Sequence, residues 1–259
     1  MQSDCEVLRN ASEYVRTWQL KQPAVKEESL TDWLLFEISS KTPRIRYVAF
    51  SRHTEARETG ADWEWWILFR DLSVRLRVQA KKLLKMDNYA GIAHTNRHGL
   101  QIDLLLAAAD LVNALPFYAF YSGGASTTMC GGGRHDEGVF MAGGRKVHAD
   151  FITSGRKVIS ESDALSRCTP LSCFLCCPLL HMRRDPIEFF RHYYANELEA
   201  PVQPQAENIR GMYSSLPRFV SSFLETSEEG LPDWWEQKYQ SAVYDTKGLL
   251  VYDGREDEG

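Results

Sequence analysis

Residues 62–81 read DWEWWILFRDLSVRLRVQAK and contain two β-strand patterns joined by a polar turn. The first pattern, residues 63–69, is rich in aromatic and branched side chains, which favour extended backbone. The second, residues 73–81, alternates apolar and polar side chains, as expected for a strand with one face in the core. Arg70 and Asp71 lie between them and predict a tight turn. This stretch therefore predicts an antiparallel β-hairpin.

The position of the turn determines which residues of the hairpin face each other. A turn centred between residues 70 and 71 pairs positions whose numbers sum to 141. Asp62 then lies opposite Gln79, and Glu64 lies opposite Arg77. Because side chains two residues apart share a face of a strand, Lys81 lies on the same face as Gln79. The spacing therefore predicts that Asp62, Gln79 and Lys81 converge.

The elements that flank the hairpin predict an α/β core. Ser29 to Asp32 has the pattern of a capping box, which indicates a helix from Ser29 to about Ser39. A strand pattern follows at residues 44–50. Beyond the hairpin come an apolar helix at residues 100–113 and a buried strand at residues 115–121. The predicted order is helix, three strands, helix, strand.

Composition divides the rest of the chain. Eight of the 22 residues from 123 to 144 are glycine, which predicts a loop. The predicted regions are an N-terminal helical segment and linker (1–28), the α/β core (29–122), a glycine-rich loop region (123–150) and a mainly helical, acidic C-terminal extension (151–259).

Glu37 is a carboxylate within the apolar stripe of the first predicted core helix. That stripe contains Leu30, Trp33, Leu34 and Ile38. A buried carboxylate is costly unless it is paired or holds a cation. Two interpretations follow: a salt bridge, for which Arg46 is a candidate, or a place in a functional site.

The residues that the hairpin brings together suit phosphodiester chemistry. Such hydrolysis needs a divalent cation, a positioned water and a cationic group near the phosphate. Carboxylate and carbonyl oxygens are the ligands that Mg²⁺ and Mn²⁺ prefer. The candidate metal ligands are Asp62, Glu64, Glu37 and the backbone carbonyl of Ala80, with the Gln79 amide as an alternative third ligand. Lys81 would hold the attacking water or stabilise the phosphate.

Gly60-Ala61-Asp62 followed by Gln79-Ala80-Lys81, with Glu37 on the preceding helix, resembles the PD-(D/E)xK nuclease superfamily in the Gln-x-Lys variant of Mrr-like restriction endonucleases. The resemblance covers residues 29–122 and implies a restriction-endonuclease-like αβββαβ core with a mixed central sheet. It also implies Asp62, Gln79 and Lys81 as the catalytic motif, Glu37 as an accessory acid and Gln101 as a further site glutamine. The implied function is a Mg²⁺-dependent or Mn²⁺-dependent endonuclease that acts on DNA, in bacterial antiphage defence.

A second resemblance carries no activity with it. The run Ala61–Trp66, together with residues 115–121 and 173–178, is similar to an uncharacterised bacterial family. Two departures from the nuclease pattern leave an alternative open. Gln79 replaces the more common acid, and three tryptophans crowd the strand that carries Asp62. The alternative is a catalytically inactive module that binds or senses nucleic acid, with the tryptophans as a stacking surface.

Charge is distributed unevenly along the chain. The net charge is −5, but residues 41–100 contain 12 Lys and Arg against 6 Asp and Glu, whereas residues 185–259 contain 6 against 15. The basic segment is where a phosphate backbone would bind. Arg75, Arg77 and Lys82 are the candidate nucleic-acid contacts.

The cysteines allow a competing metal site. Cys173-x-x-Cys176 has the spacing of zinc ligands, and Cys168 or His181 would complete a tetrahedral site. Because apolar residues surround them, buried thiols in the core are the favoured interpretation. A second pair, His94 and His98, has metal-ligand spacing, but a polar loop is the favoured interpretation there.

No segment approaches the 18 or more apolar residues that would cross a membrane, and the first ten residues lack a signal-peptide pattern. We therefore expect a cytoplasmic protein with no membrane partner and no disulfide framework. Nucleic acid is the expected partner, and a homodimer is left open.

Overall fold

The computed structural model describes residues 2–50, 60–84, 88–124, 126–127, 134–180, 186–198, 209–226, 233–239 and 246–255. The helices are α1 (Asp4–Lys21), α2 (Glu27–Lys41), α3 (Gln101–Leu111), α4 (Gly144–Val147), α5 (Glu161–Leu165), α6 (Leu171–Leu180), α7 (Pro186–Leu198), α8 (Arg218–Glu225) and α9 (Asp233–Tyr239). A 3-10 turn spans Ala90–Ala93 and a π-helical turn spans His148–Ile152.

The strands build one large mixed sheet and three short ribbons. The strands are β1 (Ile45–Ala49), β2 (Trp63–Leu68), β3 (Ser73–Lys82), β4 (Asn88–Tyr89), β5 (Thr95–Asn96), β6 (Gly99–Leu100), β7 (Leu115–Tyr121), β8 (Ser126–Thr127), β9 (Arg134–His135), β10 (Val139–Gly143), β11 (Ile159–Ser160), β12 (Thr169–Pro170), β13 (Met212–Tyr213) and β14 (Gly248–Asp253). The large sheet has the order β1-β14-β2-β3-β7-β10-β12, with β13 paired to β3. β14 runs parallel to β2 and β3 runs parallel to β7, whereas the other pairs are antiparallel. The α/β class with a mixed central sheet is thus confirmed.

The sheet extends beyond the predicted core region of residues 29–122. β14, from the acidic C-terminal region, lies between β1 and β2 and is buried except at its last residue. β10, from the glycine-rich region, pairs with β7 and is buried throughout. The C-terminal region is therefore not an appendage to the core, and residues 139–147 form a strand and a helical turn where a loop was expected.

Helices cover both faces of the sheet. α1, α2, α6 and α7 pack on one face, and with the odd-numbered residues of β2 they form the largest apolar core. On the other face, α3 and α4 pack over β7 and β10, while α8 and α9 pack over β2 and β14. The polar positions of β3 face this second layer. Among the described helices, none is both long and apolar enough to cross a lipid bilayer.

Helix α2 begins two residues earlier than the capping pattern at Ser29 predicts. Its first residue is Glu27, and Lys26 at the N-cap provides no side-chain hydrogen bond. Glu27 and Glu28 occupy the first turn, where carboxylates interact favourably with the positive end of the helix dipole. Because α2 starts earlier, Glu27 is part of the helix and lies at the end that faces the sheet.

Glu197 in α7 is a buried carboxyl that caps another helix. Its carboxylate accepts hydrogen bonds from the backbone N–H groups of Arg145, at 3.1 Å, and Lys146, at 3.0 Å. Burial raises its pKa to about 7, against the lowering effect of these bonds. The contact requires a glycine, because a Cβ on Gly143 would lie 2.2 Å from the Glu197 Oε1. The start of α4 therefore depends on a carboxyl group whose pKa is well above the ordinary value.

We expect the thermal stability to fall as the pH rises from about 5 to 8, and Glu197→Gln to reduce that fall. Because the folded-state pKa of about 7 lies above the ordinary 4.5, this contribution to stability is complete below about pH 4.5 and is lost as the pH rises through 7. Melting temperatures measured across this range test it. Glu188→Gln, at an exposed position of the same helix, is the matched control. Equal pH slopes for the wild type and Glu197→Gln would contradict the assignment.

Candidate nuclease-type site

Asp62 is fixed by backbone hydrogen bonds to β3 and to the residue that precedes β14. Its N–H donates to the Val78 carbonyl at 2.8 Å, and its carbonyl accepts from the Lys247 N–H at 2.6 Å. The hairpin pairs Trp63 with Val78 and Glu64 with Arg77, which is the register that the sequence predicts. Since both neighbours constrain the main chain, the Asp62 carboxylate has a defined position at the end of the sheet.

Gln79 and Ala80 lie directly against this carboxylate. The Gln79 Nε2 donates to the Asp62 Oδ2 and, at 2.9 Å, to the Ala80 carbonyl. The backbone N–H of Ala80 donates to the same Asp62 oxygen at 3.0 Å. Asp62, Gln79 and Ala80 are all buried. The side-chain amide therefore bridges the two oxygens, Asp62 Oδ2 and Ala80 O, that the sequence proposes as metal ligands.

Gln101, the first residue of α3, links Gln79 to Lys81. Its Nε2 donates to the Gln79 Oε1 at 2.9 Å, and its Oε1 accepts from the Lys81 Nζ at 2.7 Å. The helix start lies close to the hairpin because Gly60 has a φ of +67° and no side chain. A Cβ at Gly60 would lie 2.3 Å from the Gln101 carbonyl. Asp62, Gln79, Gln101 and Lys81 thus form one continuous chain of polar contacts.

Glu27 takes the position that the sequence analysis assigned to Glu37. The Glu27 carboxylate accepts a hydrogen bond from the Lys82 N–H at 2.7 Å. Burial raises its pKa to about 7, and the nearby Lys81 ammonium opposes that rise. Glu37 lies ten residues further along α2, which is about 15 Å along a helix, so it does not reach the site. Glu27 precedes the buried residues Leu30 and Leu34 by three and seven positions, a helical spacing that could have identified it.

Lys247 is a site residue that the sequence analysis missed. Its Nζ lies 2.6 Å from the Asp62 Oδ1. Burial alone would lower the pKa of Lys247, but the Asp62 carboxylate outweighs this effect and the pKa is raised, with smaller contributions from Glu28 and Glu27. The residue immediately precedes β14, whose apolar run Leu249–Tyr252 is the only local signal for a strand there. Lys247 therefore lies at the same end of the sheet as Lys81.

Glu64 belongs to a buried ion cluster and not to the site. Its Oε2 lies 2.8 Å from Arg75 and 3.1 Å from Arg77, and its Oε1 accepts from the Trp66 Nε1 at 2.8 Å. Glu64 is 0% exposed, and Arg77 is 2% exposed. The Arg75 guanidinium also donates to the Val112 carbonyl at 2.8 Å. Arg75 and Arg77 are therefore not placed for phosphate contact, because their charges are buried and paired inside the protein.

Lys82 and the tryptophans of β2 also differ from expectation. The Lys82 Nζ donates to the backbone carbonyls of Pro23 and Val25, so its charge holds the segment before α2. The tryptophans of β2 are at most 4% exposed and pack within the core. They provide no stacking surface for bases.

The oxygens at the end of β3 fit a cation that keeps several water ligands. Asp62 Oδ2, the Ala80 carbonyl and, after rotation of its amide, the Gln79 Oε1 are hard donors grouped at one point. Mg²⁺ commonly binds proteins through one or two carboxylates and retains water. Within the described part of the chain, no group of three or more His, Cys, Asp or Glu side chains is placed to hold a metal. The site would therefore hold a cation through one carboxylate, one side-chain amide oxygen and one backbone carbonyl.

The cysteines of α6 lie in the core. Cys173, Cys176 and Cys177 are buried free thiols, and the Cys168 Sγ donates to the Ala164 carbonyl at 3.0 Å. Cys5 on α1 lies beside Cys176, and this contact lowers the pKa of the Cys5 thiol. His181, the fourth zinc ligand considered, lies outside the described residues, as does Cys130. His94 and His98 lie in the loop before α3, where the His94 carbonyl accepts from the Gln101 N–H.

A protein-family model matches residues 4–258, and its description is "Family of unknown function (DUF6615)". The match includes the hairpin, α3 and β14, and therefore every residue of the candidate site. No curated protein matches the chain.

We expect Glu64→Ala to destabilise the protein strongly, because it removes a buried carboxylate that the guanidinium groups of both Arg75 and Arg77 contact. Breaking a buried ion pair costs about 3–5 kcal/mol, which corresponds to a fall in melting temperature of about 10 °C for a chain of this size. Differential scanning fluorimetry measures it. Glu37→Ala, at a partly exposed position of α2, is the control and should change the melting temperature little. An unchanged melting temperature in Glu64→Ala would mean that Glu64 is free for another role.

Proposed function

We propose that this chain, which belongs to the family of unknown function DUF6615, hydrolyses phosphodiester bonds of nucleic acid with a divalent cation. The observation that carries the proposal is the polar chain Asp62–Gln79–Gln101–Lys81 at one end of the sheet, with Glu27 beside it. A carboxylate, a lysine and a backbone oxygen at one end of a sheet are components that such chemistry requires. DNA is the proposed substrate, and a role in antiphage defence stays a prediction from resemblance.

The restriction-endonuclease-like core is part of the same proposal. It is supported by the order α2, β1, β2, β3, α3, β7, by the antiparallel β2–β3 hairpin and by the parallel pairing of β3 with β7. Asp62 lies just before β2, and Gln79 and Lys81 lie near the end of β3, so their separation in the sequence is bridged by the hairpin. A shared fold alone does not establish activity, so the proposal rests on the residues.

Each residue has a distinct proposed role. Asp62 and the Ala80 carbonyl would hold the cation, which would supply a nucleophilic water and neutralise charge on the phosphate. Lys81, whose Nζ is held by Gln101, would stabilise the charge that develops on the phosphate oxygens. Glu27, whose pKa is raised to about 7, would accept or donate a proton near the attacking water. Gln101 is a positioning residue, since it holds Lys81 and Gln79 without contacting the substrate.

An inactive nucleic-acid-binding module is the competing proposal. Its sequence argument used the tryptophans of β2 as a stacking surface, and those side chains are buried. The full engagement of the Asp62 carboxylate by Gln79, Ala80 and Lys247 is the observation that still favours it. Cleavage assays separate the two proposals directly.

Lys81→Ala should lower the rate of cleavage by about 100-fold or more while nucleic-acid affinity changes little. Purified protein is incubated with supercoiled plasmid, linear duplex, single-stranded DNA and RNA, with Mg²⁺, Mn²⁺ or EDTA. Lys146→Ala is the control, because the Lys146 ammonium pairs with Asp150 on another part of the surface. If no substrate is cut by the wild type with either metal, the inactive module is the correct account.

Two glutamates of the same helix provide a matched comparison. Glu27→Gln should reduce the cleavage rate by about 100-fold or more, because general acid–base groups commonly contribute about 10²-fold or more. Glu37→Gln should retain the wild-type rate, since Glu37 lies about 15 Å along α2 from Glu27. Single-turnover rates on the best substrate measure both. If Glu37→Gln loses activity and Glu27→Gln does not, Glu37 is the accessory acid, as the sequence predicted.

A further inference from the structure

Lys247 contacts the candidate metal ligand Asp62 through both its backbone and its side chain. Its N–H donates to the Asp62 carbonyl at 2.6 Å, and its Nζ lies 2.6 Å from the Asp62 Oδ1. The next residue, Gly248, pairs with Trp63, and a Cβ there would lie 2.3 Å from the Trp63 ring. The close approach of β14 to β2 thus fixes where the Lys247 side chain begins.

Both oxygens of the Asp62 carboxylate have partners. Oδ2 accepts from the Ala80 N–H and the Gln79 amide, and Oδ1 contacts the Lys247 ammonium. A divalent cation bound to Asp62 would place two positive charges beside that ammonium, and the side chain of Asp62 is only 10% exposed, so water would screen the repulsion weakly. The ammonium and a divalent cation are therefore competitors for the same carboxylate.

We propose that Lys247 is a built-in counter-ion of Asp62 that a divalent cation must displace, and that its released ammonium then binds a phosphate oxygen of the nucleic acid. This inference rests on the proposed function for the identity of the phosphate. The Lys247 side chain is 31% exposed, so its end is able to leave Asp62 toward solvent while its backbone bond to β2 remains. Lys247 would then lie on the opposite side of Asp62 from the Lys81–Gln101 pair.

Such an exchange couples the two ligands of the site. Displacement of Lys247 by a cation leaves an unpaired ammonium, and a phosphate provides its new partner. By linkage, nucleic acid should therefore strengthen cation binding, and the cation should strengthen nucleic-acid binding by the same factor. The free protein would bind cations weakly, and the complex with nucleic acid would bind them tightly.

The test is the affinity for Mn²⁺ in the absence of nucleic acid, measured by electron paramagnetic resonance of the free ion. Lys247→Met should bind Mn²⁺ about tenfold or more tightly than the wild type, because the competing ammonium is gone. Lys247→Arg, which keeps the charge, should remain as weak as the wild type. Asp62→Asn should lose this binding in both the wild-type and the Lys247→Met backgrounds.

Lys82→Met is the control for the loss of one positive charge near the site. Its ammonium contacts the carbonyls of Pro23 and Val25 and not Asp62, so its Mn²⁺ affinity should stay near the wild-type value. Equal gains in Lys82→Met and Lys247→Met would overturn direct competition, as would an unchanged affinity in Lys247→Met. If Lys247→Met fails to fold, as judged by circular dichroism, Lys247→Gln replaces it under the same requirement.

Fluorescence anisotropy of a labelled DNA duplex with Ca²⁺ tests the second step. Ca²⁺ should strengthen duplex binding by the wild type and should do so less in Lys247→Met; equal enhancement would overturn the phosphate contact. The outcomes also separate this inference from the proposed function. If Lys247→Met binds Mn²⁺ more tightly but the wild type cleaves no substrate, the counter-ion role of Lys247 stands and the nuclease function is wrong. If the wild type cleaves nucleic acid but Lys247→Met has unchanged Mn²⁺ affinity, the nuclease function stands and the counter-ion role is wrong.

Discussion

The backbone position of Asp62 between β3 and β14 is the constraint on which the candidate site depends. Its N–H and carbonyl bond to Val78 and Lys247, at 2.8 and 2.6 Å, so the carboxylate is placed by two strands. The β3 contact brings Gln79 and Ala80 to the carboxylate, and the β14 contact brings Lys247. A slip of either strand by one residue would turn these side chains to the opposite face. The chemistry proposed here therefore depends on the register of the sheet.

The β2–β3 hairpin and its register could be predicted from the sequence, because they depend on residues that are close together in the chain. The alternation of residues 73–81 and the turn at residues 70–71 determine the hairpin register, and that register places Asp62 beside Gln79. The placement of Gln101 near the same point came only from resemblance, and the structure puts it between Gln79 and Lys81. The α/β class followed from the order of strand and helix patterns.

The parts that depend on distant pairing could not be predicted. β14 runs parallel to β2 although 180 or more residues separate each pair of partners, and a six-residue strand in an acidic tail carries little local signal. Lys247 was missed for that reason. Glu64 shares a face with Asp62, but its position further along β2 puts it under the second helical layer, where Arg75 and Arg77 neutralise it. The alternation of a strand predicts which face a side chain occupies, but it does not predict how deeply that side chain is buried.

The choice between Glu27 and Glu37 shows how one helix boundary changes a site. A capping pattern at Ser29 excluded Glu27 from the helix, and the stripe that remained pointed to Glu37. The structure begins α2 at Glu27, and the first turn faces the end of β3, where the Lys82 N–H meets the carboxylate. Helix ends are poorly determined by sequence because several capping arrangements have similar free energies. Here an error of two residues in the predicted start of α2 moved the candidate accessory acid by ten residues, which is about three helical turns.

We propose that the end of β3 beside Asp62 binds a divalent cation. Anomalous X-ray diffraction from crystals of the protein soaked in Mn²⁺ tests it most directly. We expect an anomalous peak within bonding distance of the Asp62 carboxylate and the Ala80 carbonyl, with the Lys247 ammonium moved away from Asp62. Crystals that bind Mn²⁺ elsewhere or not at all, with Lys247 still paired to Asp62, would contradict it.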